Sequence, residues 1–294
     1  MTQLEKVMVT GNYAQRSIDT YSRELTFFAQ YFPDVDPMDW TEQNVIDYMA
    51  YLKGVLQASY SKHKLFAQSV AFFFRHVLKR PFDTPSKLYP RREFKLPSVL
   101  SQDEVKKLIE SCTTIKQRCI VELFYGTGLR LEELQYLKMT DIEAANNRIR
   151  VTKGKGKKER FTILPQKCLV NLRKYYRAQK VQPKVYLFEG RTPGKPMHSR
   201  AIQYTVRQAY KHAGLYHKER KTHALRHSFA THMLDNGCDI FTIKELLGHS
   251  KIETTMVYLH LQTSKRNSLV SPLDAMYKPE NQIALVDKNA NLLE

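Results

Sequence analysis

Residues 222–259 read THALRHSFATHMLDNGCDIFTIKELLGHSKIETTMVYL. Thr222 is a helix-capping residue type, and His223 and Arg226 follow it at i,i+3 spacing, which puts both on one face of the helix it would start. Asn236-Gly237 closes that helix, a short helix continues to Leu247, and Gly248 breaks the chain before His249. A final helix is predicted from about Ile252 to Leu261, and it carries Tyr258. The stretch is therefore helical almost throughout.

Working outward, two more chemically distinctive segments lie upstream. Gly126-Thr127-Gly128-Leu129-Arg130-Leu131-Glu132-Glu133-Leu134 places an arginine just after a glycine pair, with Glu133 three residues on. Lys155 sits between Gly154 and Gly156 in a turn that also holds Lys153, Lys157 and Lys158. Two arginines, a lysine and two histidines around one tyrosine suggest attack on a phosphodiester. A phosphodiester under attack gathers charge on its non-bridging oxygens, which planar guanidinium forks such as Arg130 and Arg226 match. A tyrosine hydroxyl loses its proton unaided only near pH ~10, so Tyr258 as nucleophile needs a base, for which His223 is the candidate. His249 is placed as a hydrogen-bond donor to the phosphate, and Lys155 as the acid that protonates the departing 5′ oxygen. No carboxylate cluster offers to hold a metal, and no cofactor is expected.

In this order and with these flanks the residues resemble the tyrosine recombinase (integrase) family, from about Leu100 to about Asp274, and are most similar to its bacterial Xer and integron-type branches. Arg130, Lys155, His223, Arg226, His249 and Tyr258 all match, and Glu133 stands where the family carries an acidic residue. The resemblance implies a DNA strand transferase that cleaves and rejoins DNA through a 3′-phosphotyrosine. It also implies a homotetramer on double-stranded DNA with paired recognition sites, exchange through a Holliday junction, and possible accessory DNA-bending proteins. Two other readings are a type IB topoisomerase-like enzyme and a non-catalytic architectural DNA binder; a pure binder has no use for Tyr258. His227 and His232 flank the site and read as structural.

Charge and composition agree. The 294 residues carry a formal net charge of +18, as a polyanion-binding protein does. Between Asn146 and Lys221 there are 21 basic residues against Glu159, Glu189 and Glu219, so this stretch is the expected DNA-facing wall. Lys153, Lys157, Lys158, Arg160, Arg200 and Lys221 are its candidate DNA contacts. No apolar run approaches the ~20 residues that span a bilayer, and Met1 to Thr10 lack a signal-peptide core. The four cysteines, Cys112, Cys119, Cys168 and Cys238, lack metal-ligand spacing and read as reduced thiols, with Cys112, Cys119 and Cys238 in helical patterns; a cytoplasmic, nucleoid-associated bacterial protein is expected.

The expected fold is mainly α with a small β-sheet. Tyr13 to Phe32 shows helical apolar spacing, Thr41 and Ser59 start two further helices, and Phe72-Phe73-Phe74 reads as core. Ser101 and Glu104 form a capping-box pattern, and Lys116 to Tyr125 continues the helical core. Arg148 to Lys153 and Glu159 to Leu164 are predicted strands, on the alternation of Ile149, Val151, Phe161 and Ile163. By the resemblance, residues 1–85 are a helical, SAM-like core-binding domain, 86–99 a linker and 100–275 the catalytic domain, the two forming a clamp on DNA. Residues 276–294 are a polar tail that is a candidate for docking on a neighbouring protomer.

Overall fold

The computed structural model describes residues 2–82, 97–152, 159–216 and 222–261. Lys153, Lys155, Lys157, Lys158, Lys221, most of the expected linker and the tail 276–294 lie outside the described residues. The chain divides into two units, Met1–Lys95 and Leu96–Glu294.

The first unit contains four α-helices among its described residues: α1 (Gln3–Thr10), α2 (Gln15–Tyr31), α3 (Glu42–Gly54) and α4 (Tyr60–His76). Thr41 and Ser59 cap α3 and α4 as expected, each accepting a bond from the backbone N–H three residues on. Helix α1, which has no counterpart in the expectation, starts at a capping box of Thr2 and Glu5 and buries Leu4 and Met8. The core centres on Phe28, whose ring lies 4.5 Å from Trp40, 5.2 Å from Tyr48 and 5.2 Å from Phe66. Phe73 and Phe74 are buried in the same cluster and Phe72 packs against it, so the phenylalanine triplet is core.

In the second unit the central element is α6 (Ile115–Thr127), buried along most of its length. It packs against α5 (Gln102–Glu110), α8 (Gln166–Ala178), α9 (Ser199–His212) and α10 (Thr222–Asp235). The capping box at Ser101 and Glu104 is formed. Thr222 is the first residue of α10 rather than its cap, and it is buried. The short α7 (Leu131–Gln135), α11 (Ile240–Leu247) and α12 (Glu253–Met256) frame one end of the unit. Cys119 and Cys168 are buried; Cys112 and Cys238 are half-buried in the turns after α5 and α10, outside the helices expected to hold them.

Strands β1 (Ile142–Glu143), β2 (Arg148–Val151) and β3 (Arg160–Ile163) form an antiparallel sheet in that order. The register pairs Ile149 with Thr162 and Val151 with Arg160. Directly opposed residues share a face, so Arg160 and Thr162 point inward with the buried Ile149 and Val151. Phe161 and Ile163, whose alternation had identified the strand, are on the outer face at 43% and 37% exposure. The Arg148 guanidinium covers the Phe161 ring at 4.0 Å. Inside, Thr162 Oγ1 donates to the Thr127 carbonyl at 2.7 Å, which satisfies its polar atom.

Candidate active site

Two glycines in the left-handed region set the frame. Gly128, at φ +63°, ends α6, and a Cβ there would lie 2.6 Å from Phe229 and 2.8 Å from Leu247. Gly248, at φ +64°, ends α11, and a Cβ there would meet the Arg160 side chain at 2.8 Å. Glycine is thus needed for backbone conformation and for space together.

The ends of α6 and α11 leave carbonyls without helical partners, and three arginines take them. Arg226 donates from Nη1 to the Gly128 carbonyl and from Nη2 to the Leu247 carbonyl, the latter at 2.7 Å. Arg130 Nη2 donates to the Gly248 carbonyl at 3.0 Å, and Arg160 Nε to the Leu246 carbonyl at 2.9 Å. Cations are favoured at a helix C-terminus, so the last turn of α11 gathers all three.

Among the described residues, Glu133 is the single carboxylate that these arginines engage. Arg160 grips it with both terminal nitrogens, at 2.7 and 2.8 Å; Arg130 Nη1 donates to it at 2.8 Å, and its Oε2 accepts the Arg130 backbone N–H at 2.7 Å. Burial would raise its pKa, but the Arg160 hydrogen bonds and charge, then those of Arg130, outweigh burial and hold it at about 2. Three guanidiniums against one carboxylate leave an excess of positive charge suited to an anion. Burial pushes Arg226 down to about 9, with the Arg130 charge adding, and it stays protonated at neutral pH.

Arg160 is a correction. Placed by sequence among the DNA contacts, it is turned inward by the strand register, its side chain only 11% exposed and engaged by Glu133. Its cross-strand partner on β2, Val151, faces the same core; two-residue alternation from Thr162 is the signal that could have found this. Arg200, by contrast, is exposed at the start of α9.

His249 is held on both ring nitrogens. Arg226 Nη2 lies 3.1 Å from Nε2, and since arginine only donates, Nε2 accepts and the hydrogen sits on Nδ1, which donates to Thr255 Oγ1 at 2.9 Å. Burial and then the charges of Arg226, Arg130 and Arg160 lower His249 to about 3, so it is neutral at pH 7. In this state Nε2 is an acceptor toward Arg226, not the phosphate donor expected from sequence.

Tyr258 does not lie on a continuous helix from Ile252 to Leu261. Helix α12 stops at Met256 and a 3-10 turn follows at Leu259–Leu261, with Tyr258 between them. The β-branched Ile252, Thr254, Thr255 and Val257 crowd the preceding turn and weaken helix here. Tyr258 is 2% exposed, packed with Phe229, Ala230, Leu234, Ile243 and Leu247. Burial raises its pKa, while Arg226 and then Arg130 pull it down.

The hydroxyl of Tyr258 lies 2.9 Å from Nδ1 of His227, not at His223. His223 is exposed on the first turn of α10, its ring 6.4 Å from that of His227. His227, read from sequence as structural, thus touches the candidate nucleophile; its i,i+4 relation to His223 was the available signal. His232 is buried, with Nδ1 3.0 Å from the Tyr125 hydroxyl, in keeping with a structural role. Among the described residues no cluster of His, Cys, Asp and Glu could hold a metal ion.

The model of the phage integrase family matches residues 98–265, more than half of the chain, and that of the phage integrase N-terminal SAM-like domain matches residues 1–84. The chain belongs to the phage integrase family. This integrase is 31% identical over 297 residues to tyrosine recombinase XerD of Rickettsia bellii, covering 92% of the chain and 97% of the relative. It is 33% identical over 270 residues to tyrosine recombinase XerC of Lactobacillus delbrueckii subsp. bulgaricus, covering 85% and 90%. Among solved structures, XerA recombinase aligns over 95% of the chain and 97% of its own, with a TM-score of 0.53 and 28% identity. XerH site-specific recombinase, bound to palindromic difH substrate in a post-cleavage complex, aligns over 90% and 82% with a TM-score of 0.71 and 24% identity, a likeness of fold. The integrase is a tyrosine recombinase of Xer type, mostly helical with a small sheet and an N-terminal SAM-like domain. No helix among the described residues is long and apolar enough to cross a membrane.

Proposed function

We propose that this integrase binds duplex DNA at paired sites and cuts each strand by attack of Tyr258 on a phosphodiester, leaving a 3′-phosphotyrosine and a free 5′ hydroxyl. The observation that carries the reading is the cluster of Arg130, Arg160 and Arg226 around one carboxylate, beside His249 and a buried tyrosine. Arg130 uses two of its five N–H donors on Glu133 and Gly248, so donors remain for a phosphate oxygen. Arg130 and Arg226 hold the phosphate, Glu133 orients Arg130, and Lys155 protonates the leaving 5′ oxygen. An incoming phosphate competes for Arg226 and raises the pKa of His249, which then donates to it.

Because the phosphotyrosine conserves the energy of the broken bond, strands can be exchanged and resealed without nucleotide hydrolysis. Exchange between two duplexes passes through a Holliday junction held by a homotetramer, in the bacterial cytoplasm. The relative XerH bound to difH supports DNA as the partner. So does a stripe on α9: Arg200, Tyr204, Arg207 and Lys211 recur at helical spacing, and Tyr204 is 59% exposed. Lys153, Lys157, Lys158 and Lys221 are further candidate phosphate contacts.

The test starts from Tyr258→Phe protein, which binds without cutting and selects its site from a library of randomised duplexes. On a nicked duplex of the selected sequence, wild-type protein forms a covalent adduct that survives a denaturing gel, and Tyr258→Phe forms none. An adduct in Tyr258→Phe moves the nucleophile elsewhere, first to the exposed Tyr216 and then to the buried Tyr210. Absence of any enriched duplex, or of any wild-type adduct, overturns the reading.

A further inference from the structure

The proton on the Tyr258 hydroxyl must leave as its oxygen bonds to phosphorus, and at 2% exposure bulk water is poorly placed to take it. His227 is already there. Its Nδ1 is 2.9 Å from the hydroxyl, with the rings 5.7 Å apart and inclined at 51°. Both are held by packing: α10 fixes His227, and the cluster of Phe229, Leu234, Ile243 and Leu247 fixes the tyrosine ring. The charged and titratable neighbours are His223 and Arg226 on α10, Arg130 at the start of α7, and His249 after α11.

Resting on the phosphotyrosine reading, we propose that His227 is a catalytic residue, the base that accepts the Tyr258 proton during cleavage and returns it during rejoining. With its own hydrogen on Nε2, the neutral ring accepts from the hydroxyl at Nδ1. As the tyrosine oxygen bonds to phosphorus, its O–H bond breaks and the proton forms an N–H bond at Nδ1. The bond from phosphorus to the 5′ oxygen breaks, and that oxygen takes a proton from Lys155. In rejoining, the 5′ oxygen bonds to phosphorus as its hydroxyl proton returns to the neutral Lys155 amine, the bond from phosphorus to the tyrosine oxygen breaks, and the imidazolium gives its proton back to that oxygen.

Burial, then the charges of His223 and Arg226, lower His227 to about 4, so at neutral pH the ring is free of the proton it has to receive. The hydroxyl becomes strongly acidic only as its oxygen turns into a phosphate ester, and the arriving phosphate charge raises His227 at the same moment. The transfer therefore belongs to the bond-forming step.

The experiment measures single-turnover adduct formation on the selected nicked duplex with a bridging sulfur in place of the 5′ oxygen, a leaving group that needs no acid. His227→Asn is the main variant, because its amide oxygen can accept the hydroxyl's hydrogen bond but cannot take the proton. It is expected to be slower by about 10²–10⁴-fold at neutral pH, and to gain about tenfold per pH unit as solvent hydroxide supplies the phenolate, while wild type stays nearly flat. His227→Ala, which leaves a gap, should be accelerated by added imidazole. A melting temperature near that of wild type shows that each variant is folded.

A His227→Asn rate within about threefold of wild type, or a loss equal at every pH, overturns the assignment, since a positioning contact alone has no such pH signature. An adduct that forms in wild type and vanishes in Tyr258→Phe, combined with either result, sinks the His227 role and leaves the phosphotyrosine reading standing. No adduct from wild type overturns both.

Discussion

Arg160 shows how one inward-facing side chain can organise others. Its grip on Glu133 keeps the carboxylate charged and aimed at Arg130, so its loss would act through the fold and not through DNA contact. Arg160→Ala is expected to destabilise the second unit by about 3 kcal/mol, by leaving a buried carboxylate short of a partner. It should leave the salt dependence of DNA binding unchanged, whereas Arg207→Ala should lower that slope by about one. Chemical denaturation and salt titration separate the two, and a slope lowered by Arg160→Ala would restore it as a phosphate contact. The histidines make a pH prediction with a definite sign. His249 at about 3 and His227 at about 4 lie below the 6.5 of an ordinary histidine, so the unfolded chain binds protons that the folded chain refuses. Their contribution is present above pH 6.5 and is lost as pH falls through that window. Glu133, at about 2 against 4.5, adds a second loss between those values. Melting temperature should therefore drop from about pH 6.5 downward, and His249→Gln should make the upper part of that drop shallower.

At the scale of elements, the site is made where helices end. Glycines stop α6 and α11, and the freed carbonyls recruit the arginines that would otherwise repel one another. Gly128→Ala adds a methyl group 2.6 Å from Phe229 in a backbone conformation that alanine disfavours. It is expected to cost about 2–4 kcal/mol and to reduce adduct formation by displacing the carbonyl that holds Arg226. Gly54→Ala, at the end of α3 with nothing within 4 Å of the added atom, should be neutral or stabilising by less than about 1 kcal/mol. Equal losses from both substitutions would mean that the close approach at Gly128 is relieved by a small shift of Phe229. Caps at Thr41, Ser59 and Ser101 were legible because a cap is a bond within one turn of chain. The end of α12 was not, because helix weakness from β-branching has to be weighed against the packing that draws Tyr258 inward.

Across the whole molecule, positive charge governs how the protein meets a polyanion. The net +18 and the basic run from Asn146 to Lys221 predict binding that is steeply salt-dependent. If the interface uses six to ten phosphate contacts, affinity for the selected duplex should fall by about 10³–10⁵-fold between roughly 50 and 200 mM salt. A shallow dependence, measured by titration on the same duplex, would argue against the α9 stripe and Lys153, Lys157 and Lys158 as DNA-facing. The two units each bury their own aromatic or aliphatic cluster.

The order of Arg130, Lys155, His223, Arg226, His249 and Tyr258, and most of the helices, could be read from the chain alone. Periodicity and caps are local, and a family pattern is a property of order and spacing. Which side chains touch was decided by the tertiary structure. The pairing of β2 with β3 turned Arg160 from the surface to Glu133, because register fixes the face of every residue on a strand and a one-residue slip would reverse it. Packing of the Leu259–Leu261 turn against α10 set the Tyr258 hydroxyl at His227 rather than at His223, a contact across 31 residues that the i,i+4 spacing of the two histidines allows but does not choose.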